Sequence, residues 1–242
     1  MPAKALPPPL PPAERTVGQL VAETIRAYGA SFWRALPLGV PLAVADQLSV
    51  RHSGEAQALV YWALTPLFVA AFLAACTLVH DRRPTRAAVL VGVLIWLPFP
   101  LLRSFFILPG IAWFAFIGLA VPAAMVEGLG FREALVRGRR LGVADYVHAL
   151  GSLAALVVVV GIAANVLSAL LHTQGDNGQR VAVFLSDIVL GPLLFLGGAL
   201  LYGDQVARVG SRAANRRSRR HADLHPPVDA DPAGRPDAQV EP

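Results

Sequence analysis

AAVLVGVLIWLPFPLLRSFFILPGIAWFAFIGLAVPAAMV, residues 87 to 126, runs for forty residues with one charge, Arg103. A soluble domain mixes apolar and polar residues at helical or strand period, whereas a run of this length with a single charge is at home in lipid. As one helix it would be about 60 Å long, twice the thickness of a bilayer's hydrocarbon core. It must fold back, and Pro98 and Pro100, just before Leu102-Arg103-Ser104, put the turn there. The result is two membrane spans, the first short enough that a re-entrant hairpin is the alternative.

Working outward, the basic link HDRRPTR (80 to 86) precedes this stretch, and Ala58 to Val79 forms a clean span before it. Beyond the turn RHSGEAQ (51 to 57), the segment from Phe32 to Val50 is a short first span kinked by Pro37 and Pro41, with Arg34 and Asp46 as its charges. On the other side, a fifth span covers His148 to Leu171, the polar turn HTQGDNGQR fills 172 to 180, and a sixth runs from Val181 to about Tyr202. The predicted fold is an all-α membrane protein of about six transmembrane helices plus two amphipathic in-plane helices on the cytoplasmic face.

The first amphipathic segment, 16 to 31, opens on Thr16 and Gln19, a capping-box pair. At 100° per residue Val17, Leu20, Val21, Thr24, Ala27, Tyr28 and Ser31 share one face, with Gln19, Glu23, Arg26 and Arg34 opposite, which predicts a helix lying on the membrane. The second, 127 to 147, places Phe131, Ala134, Leu135, Gly138, Leu141 and Gly142 together, with Arg132, Glu133, Arg137, Arg139 and Arg140 on the far side. Its basic face suits anionic headgroups, so Arg132, Arg137, Arg139 and Arg140 are the candidate lipid-facing residues. The organisation is then a disordered Pro-rich leader (1–15), a surface helix (16–31), spans one to four (32–126), a second surface helix (127–147), spans five and six (148–203) and a disordered tail, basic then acidic (204–242).

Composition agrees: 55% of residues are apolar, 15% are charged, and mean hydropathy is +0.54. The net charge of +5 comes from twenty Arg and one Lys, Lys4, set mainly beside apolar runs. That placement is topological and argues against nucleic acid as a partner. Assigning the leader, the 80 to 86 link, the 127 to 147 segment and the tail to one side collects eighteen Lys and Arg, against three on the other (Arg51, Arg103 and Arg180). The positive-inside rule makes the first side cytoplasmic, with both termini inside a bacterial plasma membrane. Cys76, the lone cysteine, reads as an inert small hydrophobe.

Metalloprotease, nucleophile-elbow, phosphate-loop and dinucleotide patterns are all missing from the sequence, so neither an enzyme nor a cofactor or metal site is expected. The segment PAAMVEGLGFREALVRGRRLG does carry a pattern: Pro122, Val126, Glu127, Gly128, Gly130, Ala134, Leu135, Arg137 and Leu141, with Gly138 in a position that usually holds Ser. It resembles the junction of bacterial membrane proteins related to YciC and to the membrane domain of glycerophosphodiester phosphodiesterases, where a span ending in P-x-x-x-V-E-G-x-G leads into an amphipathic helix. The resemblance covers some twenty residues and implies a membrane architecture, not an activity, since the catalytic domain of such phosphodiesterases is a separate unit. Glu127, Gly128 and Gly130 form the junction motif, with Glu127 expected to stabilise the start of the surface helix and pair with Arg132.

Four polar residues fall within or beside the outer half of the spans: Asp46, Arg103, Asn165 and Asp187. A carboxylate among Val183, Phe184, Leu185, Ile188, Val189 and Leu190 costs about 3 kcal/mol at a helix centre unless paired or neutralised, so Asp187 is expected to pair with Arg103 and to accept from Asn165. Three functions follow in order. The first is a non-enzymatic membrane protein that organises lipid or a protein partner at the cytoplasmic face. The others are a small transporter with a polar site around Asp187, and a membrane-embedded lipid enzyme.

Overall fold

The computed structural model describes residues 11–49, 52–105, 107–171 and 175–224, with their side chains except at 103–105, 171, 175–177, 179 and 219–224. Every regular element among them is helical. After a 3-10 turn at Pro12–Glu14, Thr16 accepts the Gln19 N–H (3.4 Å) and the Gln19 side chain accepts the Thr16 N–H (2.8 Å). This is the expected capping box, and α1 (Val17–Ala30) follows it.

The next segment is broken where prolines remove backbone donors. α2 (Phe32–Ala35) leads through a 3-10 turn (Leu36–Gly39) into α3 (Val40–Ser49), then α4 (Gly54–Ala63) and α5 (Thr65–His80), the last two bent by 54°. Ser53 accepts the Ala56 N–H, so α4 starts before Ala58, where the sequence placed the second span. α6 (Arg86–Trp96) ends ahead of Pro98 and is followed by α7 (Phe99–Phe105), α8 (Ile107–Ile117) and α9 (Ala120–Val126). The break after α6 exposes carbonyls that lipid cannot satisfy. Two indoles supply the donors: Trp113 Nε1 to Ile95 O at 2.9 Å and Trp62 Nε1 to Leu97 O at 2.7 Å.

The chain closes with α10 (Phe131–Ala144), α11 (Tyr146–Leu171) and α12 (Gly175–Leu224). Three helical stretches are long and apolar enough to cross a membrane: Ile107–Val126, Tyr146–Leu170 and Arg180–Ser218. The bent pair α4–α5 makes a fourth if taken as one span, while Arg86–Leu102 is apolar but shorter. α12 is the element on which the others assemble, packing against α1, α3, α5, α10 and α11. Pro192 deprives the Ile188 carbonyl of its helical donor. The backbone of Gly39 lies against the Asp187 and Ile188 carbonyls at that turn, where any side chain would collide with them. An aromatic core of Phe68, Phe72, Trp96 and Phe195 fills the space between α5, α6 and α12.

Three expectations are corrected. The apolar face of α1 does not rest on lipid: Leu20, Thr24 and Tyr28 are buried, and the helix packs on α11 and α12. The apolar face of α10, apart from the exposed Phe131, is likewise covered by protein, with Gly138 against the Ala120 backbone and Gly142 against the Ala115 and Phe116 carbonyls. Hydrocarbon and a neighbouring helix offer the same apolar surface, so an amphipathic pattern cannot tell them apart. Third, α12 continues to Leu224, twenty residues past the point where a disordered tail was expected to begin. No proline follows Pro192 until Pro226, and the intervening Ala and Arg are good helix formers. The leader at 1–10 and the tail beyond 224 lie outside the described residues.

Candidate functional site

The junction after α9 is built from the residues the motif singled out. Gly128 takes φ +66°, a left-handed conformation that suits glycine and turns the chain. Gly130 is the N-cap of α10, and its N–H donates to the Glu133 carboxylate at 3.2 Å. Glu127 faces the other way. Its carboxylate accepts from Arg137 Nε at 2.8 and 3.0 Å and from the Tyr202 hydroxyl at 2.8 Å, so its partners are Arg137 and Tyr202, not Arg132. The Tyr202 ring stands edge-on to His80, whose Nε2 lies 3.0 Å from the Ala199 carbonyl oxygen. These contacts tie α5, α10 and α12 to one carboxylate.

Alongside runs a broad, open groove of about 700 Å³ lined by Glu127, Leu129, Arg132, Glu133, Val136, Arg137 and Arg140. Arg132 and Arg140 are exposed on it, while Arg137 is held by Glu127. Arg139 leaves the group, its guanidinium lying 5.7 Å from the centroid of the Phe116 ring. Of the four basic residues named from the sequence, Arg132, Arg139 and Arg140 are exposed, Arg139 lying over Phe116 and away from the groove, and Arg137 is paired with Glu127.

A second polar assembly draws on residues the sequence reading left scattered. Asp145, the C-cap of α10, accepts from Arg208 (3.2 Å) and Arg212 (3.0 Å), and its carbonyl accepts from Gln205 (3.3 Å). Arg212 also donates to the Ala144 carbonyl, a basic group placed at the negative end of α10. Arg208 reaches the Arg15 carbonyl, and Arg15 pairs with the fully buried Asp204 at 3.0 Å. Arg208 and Arg212, which the sequence reading placed in a disordered basic tail, fasten the segment before α1, the α10–α11 joint and α12 together. Nothing local marks such pairs, since Arg15 and Asp204 are 189 residues apart.

Within the apolar layer, the Tyr61 hydroxyl donates to Asp46 Oδ1 at 2.6 Å, and Gln47 donates to the Arg180 carbonyl at 3.1 Å. Asn165 is not drawn to Asp187: it is exposed and its amide donates to Gly161 O, one turn back in its own helix, at 2.7 Å. The Arg103 side chain lies outside the described residues. Tyr61 also lines an apolar cavity of about 180 Å³ with Phe68, Phe72, Trp96, Phe114 and Phe195. That is slightly more than the roughly 150 Å³ of an apolar cavity able to take up benzene. Among the described residues no three His, Cys, Asp or Glu side chains gather as metal ligands.

No family model, curated protein or solved structure matches this chain.

Proposed function

We propose that the chain is a non-enzymatic, multi-pass protein of a bacterial plasma membrane that organises anionic lipid at its cytoplasmic face. The observation that carries this reading is the pair Arg132 and Arg140, exposed beside the groove on a helix whose opposite face is fixed in the protein. Rigid placement lets two guanidiniums hold one or two phosphates without first ordering the helix. Lipid is gathered by this basic face, not by insertion of the apolar one. The junction motif supplies the rigidity through Glu127, and its likeness to YciC-related proteins and to the phosphodiesterase membrane domain belongs to the same reading. About six passes with both termini inside accompany it, on the strength of eighteen basic residues assigned to one side against three.

The test uses the intact chain in vesicles, with phosphatidylglycerol or phosphatidylcholine neighbours read by native mass spectrometry. Enrichment of phosphatidylglycerol, lost in the double variant Arg132→Glu, Arg140→Glu, is expected. Equal lipid composition around both proteins would overturn the reading. Reporter fusions after Val50, Arg83, Ser104, Arg140, Gly178 and Arg220 should alternate out, in, out, in, out, in. An inward Ser104 reporter would make the 87–126 segment re-entrant.

A second reading, a small transporter, is favoured by Tyr61, which both lines the aromatic cavity and bonds Asp46. Solute flux in vesicles that Asp46→Asn abolishes while the fold persists would decide for it.

A further inference from the structure

We infer that the chain self-associates through the outer half of α11, a second copy covering the helix face that carries Asn165. α11 is the least covered of the three bilayer-length stretches: 11% of its most apolar window is buried within the protein, against 56% and 50% for Ile107–Val126 and Arg180–Ser218. Lipid covers apolar side chains at no cost, but it cannot cover an amide. Asn165 lies seven residues before His172, where the polar turn begins, so it sits about 10 Å inside the end of the span. One of its N–H groups goes to Gly161 O. Among the described residues the second N–H and the carbonyl oxygen Oδ1 have no protein partner, and on an exposed side chain hydrocarbon offers them nothing.

The surroundings of Asn165 show what covers it. At 100° per residue Val158, Gly161, Ile162, Ser168 and Ala169 lie within about 60° of it. Gly161, Asn165 and Ala169 follow at four-residue spacing, the arrangement that lets two helix backbones approach closely in lipid. Gly161 is explained by nothing inside the protein: a Cβ there would meet no atom within 4 Å, and glycine is a poor helix former. Exposed Val158 and Ile162 supply packing at the same face. An amide is its own complement, donor to acceptor and acceptor to donor, so two copies related by a two-fold axis satisfy each other through paired Asn165 side chains. Asp, Glu, Lys and Arg do not occur in α11, so no like charges oppose the approach. This interface depends on α11 crossing the bilayer and is independent of the lipid reading of α10.

The experiment places the full chain in phosphatidylcholine–phosphatidylglycerol vesicles and follows association by energy transfer as protein is diluted in lipid. Single cysteines introduced on α11, with Cys76 replaced by Ala, map the face by oxidative cross-linking. Val158→Cys and Ile162→Cys are expected to cross-link. Val159→Cys and Val166→Cys, also exposed but 100° to 120° around the helix, are expected to stay monomeric. Asn165→Leu should raise the dimer dissociation constant by roughly tenfold, the scale of two interhelical hydrogen bonds in lipid, while Asn165→Gln keeps most of the affinity. Monomers at every dilution, cross-links independent of face, or an Asn165→Leu protein that associates like the parent would each overturn the proposal. The α11 positions all face lipid in the monomer, and because Cys76 is buried the Cys76→Ala protein is the parent against which each cysteine variant is compared.

Discussion

Helix α10 carries five charged residues in fourteen yet sets Ala134, Gly138, Leu141 and Gly142 inside the protein, whereas α11 carries none and leaves Val158, Ile162, Val166 and Leu170 uncovered. The two adjoin at Asp145. In water the more apolar helix would be the more deeply buried, because burial is driven by removing apolar surface from solvent. In a membrane that drive is absent between helices, and close packing decides. α10 has Gly138 and Gly142 at four-residue spacing pressed on α9 and α8, while the glycine of α11 at 161 meets nothing within the chain.

The largest test of this contrast puts the same side chain at both glycines. Gly138→Leu drives four carbons into the Ala120 backbone and should cost about 3 kcal/mol or more, read as unfolding of the detergent-solubilised protein. Gly161→Leu should leave that stability unchanged or slightly raised, since leucine favours the helix and space is open. Equal losses at both positions would erase the distinction between the helices.

A middle-sized effect is expected at the joint. Asp145→Ala leaves Arg208 and Arg212 without their carboxylate and should cost about 2 kcal/mol. Asp145→Asn, which keeps an acceptor but loses the charge, should cost less. If hydrogen exchange shows α1 and the end of α12 loosening together in Asp145→Ala, the joint carries the coupling; an unchanged exchange pattern would remove it.

The smallest effects belong to the uncovered face of α11. Val159→Ala and Val166→Ala should each shift stability by under about 0.5 kcal/mol, because lipid replaces the lost side-chain contacts. A loss above about 1 kcal/mol from either would mean that protein, not lipid, covers that side.

The place of the junction could be read directly from residue types. Glu127, Gly128 and Gly130 were marked as a junction, with the surface helix starting at 127, whereas the left-handed turn at Gly128, the helix start after Gly130 and the Glu127 partners, Arg137 and Tyr202, were not readable. Tyr202 lies 75 residues away on another helix. Asp46 was picked out as polar in an apolar run, but Tyr61 as its donor was not, because a tyrosine at the end of a span is equally at home at the lipid interface.

The sequence by itself determined the helical fold, the apolar runs at Ile107–Val126, in α11 and in α12, the Thr16–Gln19 cap and the break at Pro37, but it put the next turn at Leu102–Ser104, where α7 is helical and the chain breaks instead between Trp96 and Phe99. Each follows from residues within a few positions of one another: hydropathy over a span's length, a hydroxyl three residues from an amide, a missing N–H. Only the tertiary structure decided that α1 and α10 turn their apolar faces to protein, that Arg15 finds Asp204, and that Asn165 bonds its own helix and not Asp187. An apolar stripe specifies the kind of surface that will cover it and not whether lipid or helix supplies it. A buried charge likewise requires a partner without saying which, and the approach of helices distant in sequence makes that choice.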